Sequence, residues 1–194
     1  MLDGLKHAFK VRPFLLYLVA AFIGLGIFNG INTWVENIVR PRGFTPTDAG
    51  TLGALMIAGG LAGAIILPAF SDKQRKRQRY LMLAFVGAIP GLLGLTFATN
   101  TAILFISAVI FGFFLVSAMP IGMQYAAEIT YPTPEGTSNG LIQLSGQGAV
   151  VFVWIMEVMR SSDGSFTPSL LLALALLVVS AGLVTQMKDP VAAV

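Results

Sequence analysis

Residues 127–141 read AEITYPTPEGTSNGL, and this stretch decides the fold. Glu128 closes one long apolar run, Pro132 and Pro134 stop it, and a Thr133-Pro134-Glu135 start opens the next. Threonine supplies a capping hydroxyl, proline at the first helical position loses no hydrogen bond, and an early acid suits the positive helix end. Thr45-Pro46 and Thr167-Pro168 open two further apolar runs in the same way, and Asp48 adds the early acid to the first of them. The pattern is one of long apolar helices joined by short structured turns.

Reading outward, six runs reach the roughly 20 residues that a helix needs to cross a bilayer: Pro13–Val39, Pro46–Phe70, Tyr80–Ala98, Thr101–Ile129, Thr137–Met159 (from 133 with its Thr-Pro start) and Pro168–Met187. The chain is 56% hydrophobic and 11% charged. An ordinary soluble domain is about 25% charged, so too little polar surface is left to face water. The expected fold is all-α and integral to the membrane. It comprises a segment at 1–12, a six-helix domain at 13–187 and a tail at 188–194.

Lys6, Lys10, Arg12, Lys73, Arg75, Lys76, Arg77, Arg79 and Lys188 fall on one side of the expected membrane, and Arg40, Arg42 and Arg160 on the other. The positive-inside rule then puts both termini in the cytoplasm, at a plasma or inner membrane. The basic residues serve topology, so lipid and not nucleic acid is the expected partner. There is no cysteine. The first run is too long for a cleaved signal and lacks a small-x-small site.

The second run begins FTPTDAGTLG at Phe44, and the fifth begins TPEGTSNG at Thr133, from the opposite side. Likeness between units of opposite orientation marks an inverted repeat, here 3+3, of the kind that builds secondary transporters.

Polar side chains inside lipid are costly and turn toward protein or water. At 100° per residue, Gln143, Gln147, Trp154 and Glu157 share an arc of about 80° on the fifth run. Asn29, Asn32, Thr33 and Glu36 share about 100° on the first, with Trp34 off that face. Ser117, Gln124 and Glu128 line up on the fourth. The third and sixth runs are plain and are expected to meet lipid. The second holds Gly59 and Gly63 in small-xxx-small spacing, which lets helices approach closely. Candidate cavity residues are therefore Gln147, Asn29, Asn32, Gln124, Gln143 and Trp154, with Glu36 and Glu157 at the outer mouth. Each also has a structural reading, because a membrane Asn or Gln can simply bond a neighbouring helix.

The single histidine, His7, precedes the first run, so neither a Ser-His-Asp triad nor a histidine metal site can be assembled. No glycine-rich phosphate loop is present. Enzymatic activity, a cofactor and a metal are not expected.

Gly112-Phe113-Phe114, Pro120-x-Gly122, EITYP at Glu128–Pro132, EGTS at Glu135–Ser138, Gly140-Leu141 and Gln147 together resemble the tenth and eleventh helices of one branch of the major facilitator superfamily, that of the feline leukaemia virus subgroup C receptor. GAIILPAFSDKQRKRQ from Gly63 is similar to the superfamily's loop after the eighth helix. The resemblance implies the C-terminal half of a twelve-helix transporter. In such a half the first and fourth helices line the cavity, the second and fifth meet the other half, and the third and sixth face lipid. It implies solutes such as choline and ethanolamine, with haem export also proposed, and it places a glutamine aligned with Gln147 in the substrate cavity. Asp72 with Arg75 or Arg77 could pair with Glu128 as a charge lock. The chain departs from the pattern at Gly136, where an arginine is frequent, and at Asn29, where the family carries a tyrosine.

The expected function is transport of a small organic solute by alternating access. The partner would be a second six-helix half, either an N-terminal half or a second copy. This half offers no acid at mid-membrane for proton coupling. A non-transporting half-size subunit or scaffold, a truncated product and a homodimeric half-size carrier stand as the alternatives.

Overall fold

The helix-start signals read from the sequence are used literally at one helix and replaced at two others. The computed structural model describes residues 2–189; Met1 and residues 190–194 of the expected tail lie outside them. The elements are α1 (Leu2–Ala8), α2 (Arg12–Val39, continued by a 3-10 turn at Arg40–Arg42), α3 (Pro46–Gln74), α4 (Arg77–Phe97), α5 (Thr101–Ile129), α6 (Glu135–Gly148), α7 (Val151–Val158) and α8 (Thr167–Thr185). Six stretches are long and apolar enough to cross a membrane, with α6 and α7 together forming the fifth. Among the described residues there is no strand.

At α3 the cap is complete. Thr45 Oγ1 accepts from the Asp48 N–H at 3.2 Å, and the Asp48 carboxylate accepts from the Thr45 N–H at 2.9 Å. This reciprocal box satisfies two donors that the helix cannot. At α6 the N-cap is Pro134, and Thr133 donates its hydroxyl to the Gly4 carbonyl at 3.2 Å, tying α1 to the turn. At α8 the helix starts on Thr167 itself, whose N–H donates to Ser165 Oγ at 3.2 Å. The capping role expected of Thr133 and Thr167 is thus corrected: the prolines still open the helices, but these threonines have other partners.

The opposite substitution occurs at α4, whose N-cap Lys76 offers no side-chain acceptor. Asp189, beyond the end of α8, accepts the Gln78 N–H at 2.8 Å instead. The Tyr125 hydroxyl donates to the Lys188 carbonyl at 3.0 Å, and Gln78 Nε2 donates to the Val184 and Thr185 carbonyls. One end of the bundle therefore gathers α1, the α3–α4 and α5–α6 turns and the end of α8.

Packing follows an exchange rule. α3 and α4 both lie along α5, α6–α7 and α8 both lie along α2, and α4 meets α8 as α2 meets α5. Swapping α2 with α5, α3 with α6–α7 and α4 with α8 leaves this pattern unchanged, as an inverted repeat requires. The two equivalent seams are not equally tight. On the α3–α5 seam, a Cβ added at Gly59 would stand 2.5 Å from the Val109 carbonyl oxygen, and one at Gly63 would overlap that of Phe113. Only glycine allows backbones that close. The α2–α7 seam is wedged apart by side chains: Phe152 and Met156 sit against Gly26 and Gly30 of α2.

α4 and α8 each bury one face (Leu81, Phe85, Leu92; Leu170, Leu177, Val184) and expose the other (Leu83, Val86, Leu93; Leu171, Val178, Val179). Their plainness in sequence reflects packing on one side as well as exposure on the other.

Candidate functional site

The wedged seam holds the polar cavity. Asn29, Asn32 and Thr33 of α2 face Gly146, Gln147, Val150 and Val153 across a space of about 370 Å³. Thr33 Oγ1 is committed to its own helix, donating to the Asn29 carbonyl at 2.8 Å. The carboxamides of Asn29, Asn32 and Gln147 are the groups that remain to address a solute. Among the described residues, no charged side chain lines this cavity.

Gln147 stands immediately before a break. α6 ends at Gly148 and α7 begins at Val151. Across the gap Ala149 N–H is shared between the Ser145 and Gly146 carbonyls at 3.2 Å each, and Phe152 and Val153 bond back three residues at 3.0 Å. Two glycines flank Gln147, and each weakens a helix by about 1 kcal/mol relative to alanine, so the backbone tightens here without a proline. A three-residue repeat turns each residue roughly 20° further than an α-helix does. Trp154 is thereby carried off the arc expected from a continuous helix. It is 66% exposed, beside Val151 and Val158 on the outward face, and Val153 lines the cavity in its stead. Gln143 is exposed one turn before Gln147 and does not line the cavity.

Trp34 holds the broken helix. Its Nε1–H donates to the Val153 carbonyl at 3.0 Å, and its ring lies 5.4 Å from that of Phe166. Sequence reasoning placed Trp34 off the polar face but could not supply this partner, because it exists only once α7 and the α8 start meet α2.

A second pocket adjoins the first. Tyr17, Ala21, Gly24, Leu25, Phe28 and Asn29 of α2, with Phe85 of α4 and Leu115, Val116, Ala118 and Met119 of α5, enclose about 250 Å³. It is almost wholly apolar, and Asn29 belongs to both spaces. The Tyr17 hydroxyl is spent on the Ala118 carbonyl at 3.2 Å. The sequence reading missed this pocket, because an apolar lining carries no polar signal.

The charged residues gather at the end of the bundle that carries the α3–α4 turn. Arg77, with a side chain 8% exposed, donates from Nη2 to Glu128 Oε1 at 2.8 Å and from Nε to both carboxylate oxygens at 3.2 and 3.3 Å. Its Nη1 reaches Asp72 and, at 3.2 Å, the Ser71 hydroxyl. Gln124, read from the sequence as a cavity residue, donates to Glu128 Oε1 at 3.0 Å and so belongs to this cluster instead. Arg75, the other candidate, is exposed in the left-handed conformation (φ 50°) that ends α3. At the opposite end Glu157 pairs with Arg160 at 3.3 Å, while Glu36 is exposed on α2. Ser117 is buried and donates to the Phe114 carbonyl, so it does not extend the polar face of α5.

Six apolar spans in an inverted-repeat packing, with a polar cavity between α2 and α6–α7, have the architecture of the six-helix units of membrane transporters. The chain belongs to the Major Facilitator Superfamily, whose family model matches residues 1–154. It is an integral, multi-pass membrane protein of a transporter family. It is 36% identical over 183 residues to an uncharacterised protein of Archaeoglobus fulgidus, covering 93% of this chain and 82% of that one. It is 26% identical to the choline/ethanolamine transporter flvcr2a of Danio rerio, over 86% of this chain and 37% of the relative. It is 29% identical to the choline/ethanolamine transporter FLVCR1 of Mus musculus, over 78% and 28%. A D-xylose-proton symporter shares the fold at TM-score 0.58 and 15% identity, over 94% of this chain and 48% of that one. The chain thus spans well under half the length of the choline/ethanolamine transporters it matches.

Proposed function

We propose that this chain forms one half of a carrier that moves a small organic solute by alternating access, with the solute held at Asn29, Asn32 and Gln147. The observation that carries this reading is the cavity between α2 and α6–α7, lined by carboxamides and adjoining a helix break. Broken helices that line a water-filled space are a recurrent way to build transporter sites. The relatives point to an amino-alcohol such as choline or ethanolamine. A carboxamide set suits the hydroxyl of such a solute; no aromatic ring lines the polar cavity among the described residues, so a cation–π contact to a quaternary ammonium would come from the second half or from the rings of the adjoining pocket.

The Arg77–Glu128–Asp72 cluster is a lock that holds the cytoplasmic ends of α3, α4 and α5 together while the other end moves, and Gln124 keeps the carboxylate oriented. Both termini lie in the cytoplasm by the charge asymmetry of the loops, which puts Glu36 and Glu157 at the outer mouth. Gln143, Gln147 and Trp154 are exposed on α6–α7, beside the apolar residues Leu144, Val151 and Val158. Amides against lipid are expensive, so this face meets a second six-helix half.

The test is uptake of labelled choline and ethanolamine into proteoliposomes containing the chain. The expected result is flux above empty vesicles, cut at least tenfold by Gln147→Ala. Flux untouched by that substitution would remove the site, and absence of flux would remove choline and ethanolamine as solutes of this chain acting as a homodimer. The near-equal length of the archaeal relative favours a specific form of the second half, namely another copy of this chain. Crosslinking between cysteines introduced at Leu144 and Trp154 is expected to trap a dimer.

A further inference from the structure

The two adjoining spaces form a bipartite site, and we propose that the solute is amphipathic: a hydroxyl-bearing, hydrogen-bonding head between Asn29, Asn32 and Gln147, and an apolar tail in the pocket between α2 and α5. This inference rests on the reading of the polar cavity as the solute site. The polar space holds about 370 Å³ and the apolar one about 250 Å³, and Asn29 lines both. Small-molecule sites run about 300–1,000 Å³; the polar space falls within that range and the apolar one just below it. Among the described residues neither lining contains Asp, Glu, Lys or Arg, so these two spaces recognise a solute by hydrogen bonds and apolar contact. The tail pocket offers Phe28, Phe85, Leu115 and Met119, and its one phenol, on Tyr17, already donates to Ala118. A polar group placed there would lose its water without a partner, whereas a methylene would gain.

The geometry also names the residue that controls access. A Cβ at Gly24 would stand 3.3 Å from Phe85 Cε1 and 3.5 Å from Leu115 Cδ1. Any larger side chain at Gly24 therefore grows into the tail pocket, and shortening Leu115 enlarges it.

The probes are N-acylethanolamines of increasing acyl length, whose amide and hydroxyl match the three carboxamides. Binding is measured to the chain in nanodiscs, with empty nanodiscs subtracted. The affinity is expected to rise about fourfold per methylene, the factor for one CH₂ leaving water, and then to level off when the pocket is full. Gly24→Leu should flatten the series to the affinity of N-acetylethanolamine, and Leu115→Ala should move the plateau to longer chains. The second variant guards against misfolding of the first, because it acts in the opposite direction. Gln147→Ala should weaken every member by a similar factor. Overturning results are an affinity independent of acyl length, or a length dependence that both pocket variants leave unchanged, as partition into lipid would give. If N-acetylethanolamine binds through Gln147 without any length effect, the tail pocket fails and the solute site stands. If no member binds, both fail.

Discussion

Arg77 is the point at which the packing of three helices can be tested by two cycles of substitutions. Arg77→Met keeps most of the side-chain volume and removes the guanidinium. Glu128, 30% exposed, would retain only Gln124, while Asp72, 62% exposed, would be rehydrated. Removing one partner of a fully buried pair costs about 3–5 kcal/mol, and an exposed pair contributes about 0–1 kcal/mol. Glu128 lies between these limits and is gripped by two guanidinium nitrogens, which places its coupling to Arg77 at about 2 kcal/mol. The coupling to Asp72 should fall below about 0.5 kcal/mol. Two double-mutant cycles, Arg77→Met with Glu128→Gln and Arg77→Met with Asp72→Asn, read these values from SDS-induced unfolding in bicelles. Arg75→Met should cost little, because that side chain is exposed and forms no ion pair among the described residues. A coupling to Asp72 as large as that to Glu128, or an Arg75 effect equal to that of Arg77, would refute the assignment of Arg77 as the centre of the cluster.

Gly63→Ala must push α5 away at the Phe113 carbonyl and is expected to cost about 2–3 kcal/mol, whereas Gly50→Ala, which meets nothing within 4 Å, should be neutral or slightly stabilising in the same unfolding assay. Trp34→Phe keeps an aromatic ring against Phe166 but loses the bond to the Val153 carbonyl. It should cost about 1 kcal/mol and raise amide hydrogen exchange in Val151–Val158 selectively. An exchange increase spread evenly over the bundle would mean that Trp34 does not hold α7 in particular.

The stretch at 127–141 carried much of the fold because its signals are local. Glu128, the two prolines and the apolar runs on either side act through the chain's immediate neighbours, and a bilayer leaves an apolar run of that length little choice but a helix. Gly59 and Gly63 were readable for the same reason: their spacing alone puts them on one face. The pairing of Arg77 over Arg75 with Glu128 was not readable. Two residues of identical charge differ only in that Arg75 ends α3 in a left-handed turn while Arg77 begins α4, pointing at α5.

Composition, periodicity and charge placement determined the number of spans, the inverted repeat and the polar faces of α2 and α6. Tertiary structure alone decided which polar residues share a space. The even arc through Gln143, Gln147 and Trp154 assumed a helix that does not break, and the glycines around Gln147 together with the Trp34 bond to Val153 turn the second half of it aside. Gln124 was drawn away from the cavity by Glu128, a neighbour one turn along whose carboxylate needs a donor. The apolar pocket behind Asn29 is a matter of shape, set by how far α5 stands from α2, and a sequence records the side chains that line a gap without recording the gap.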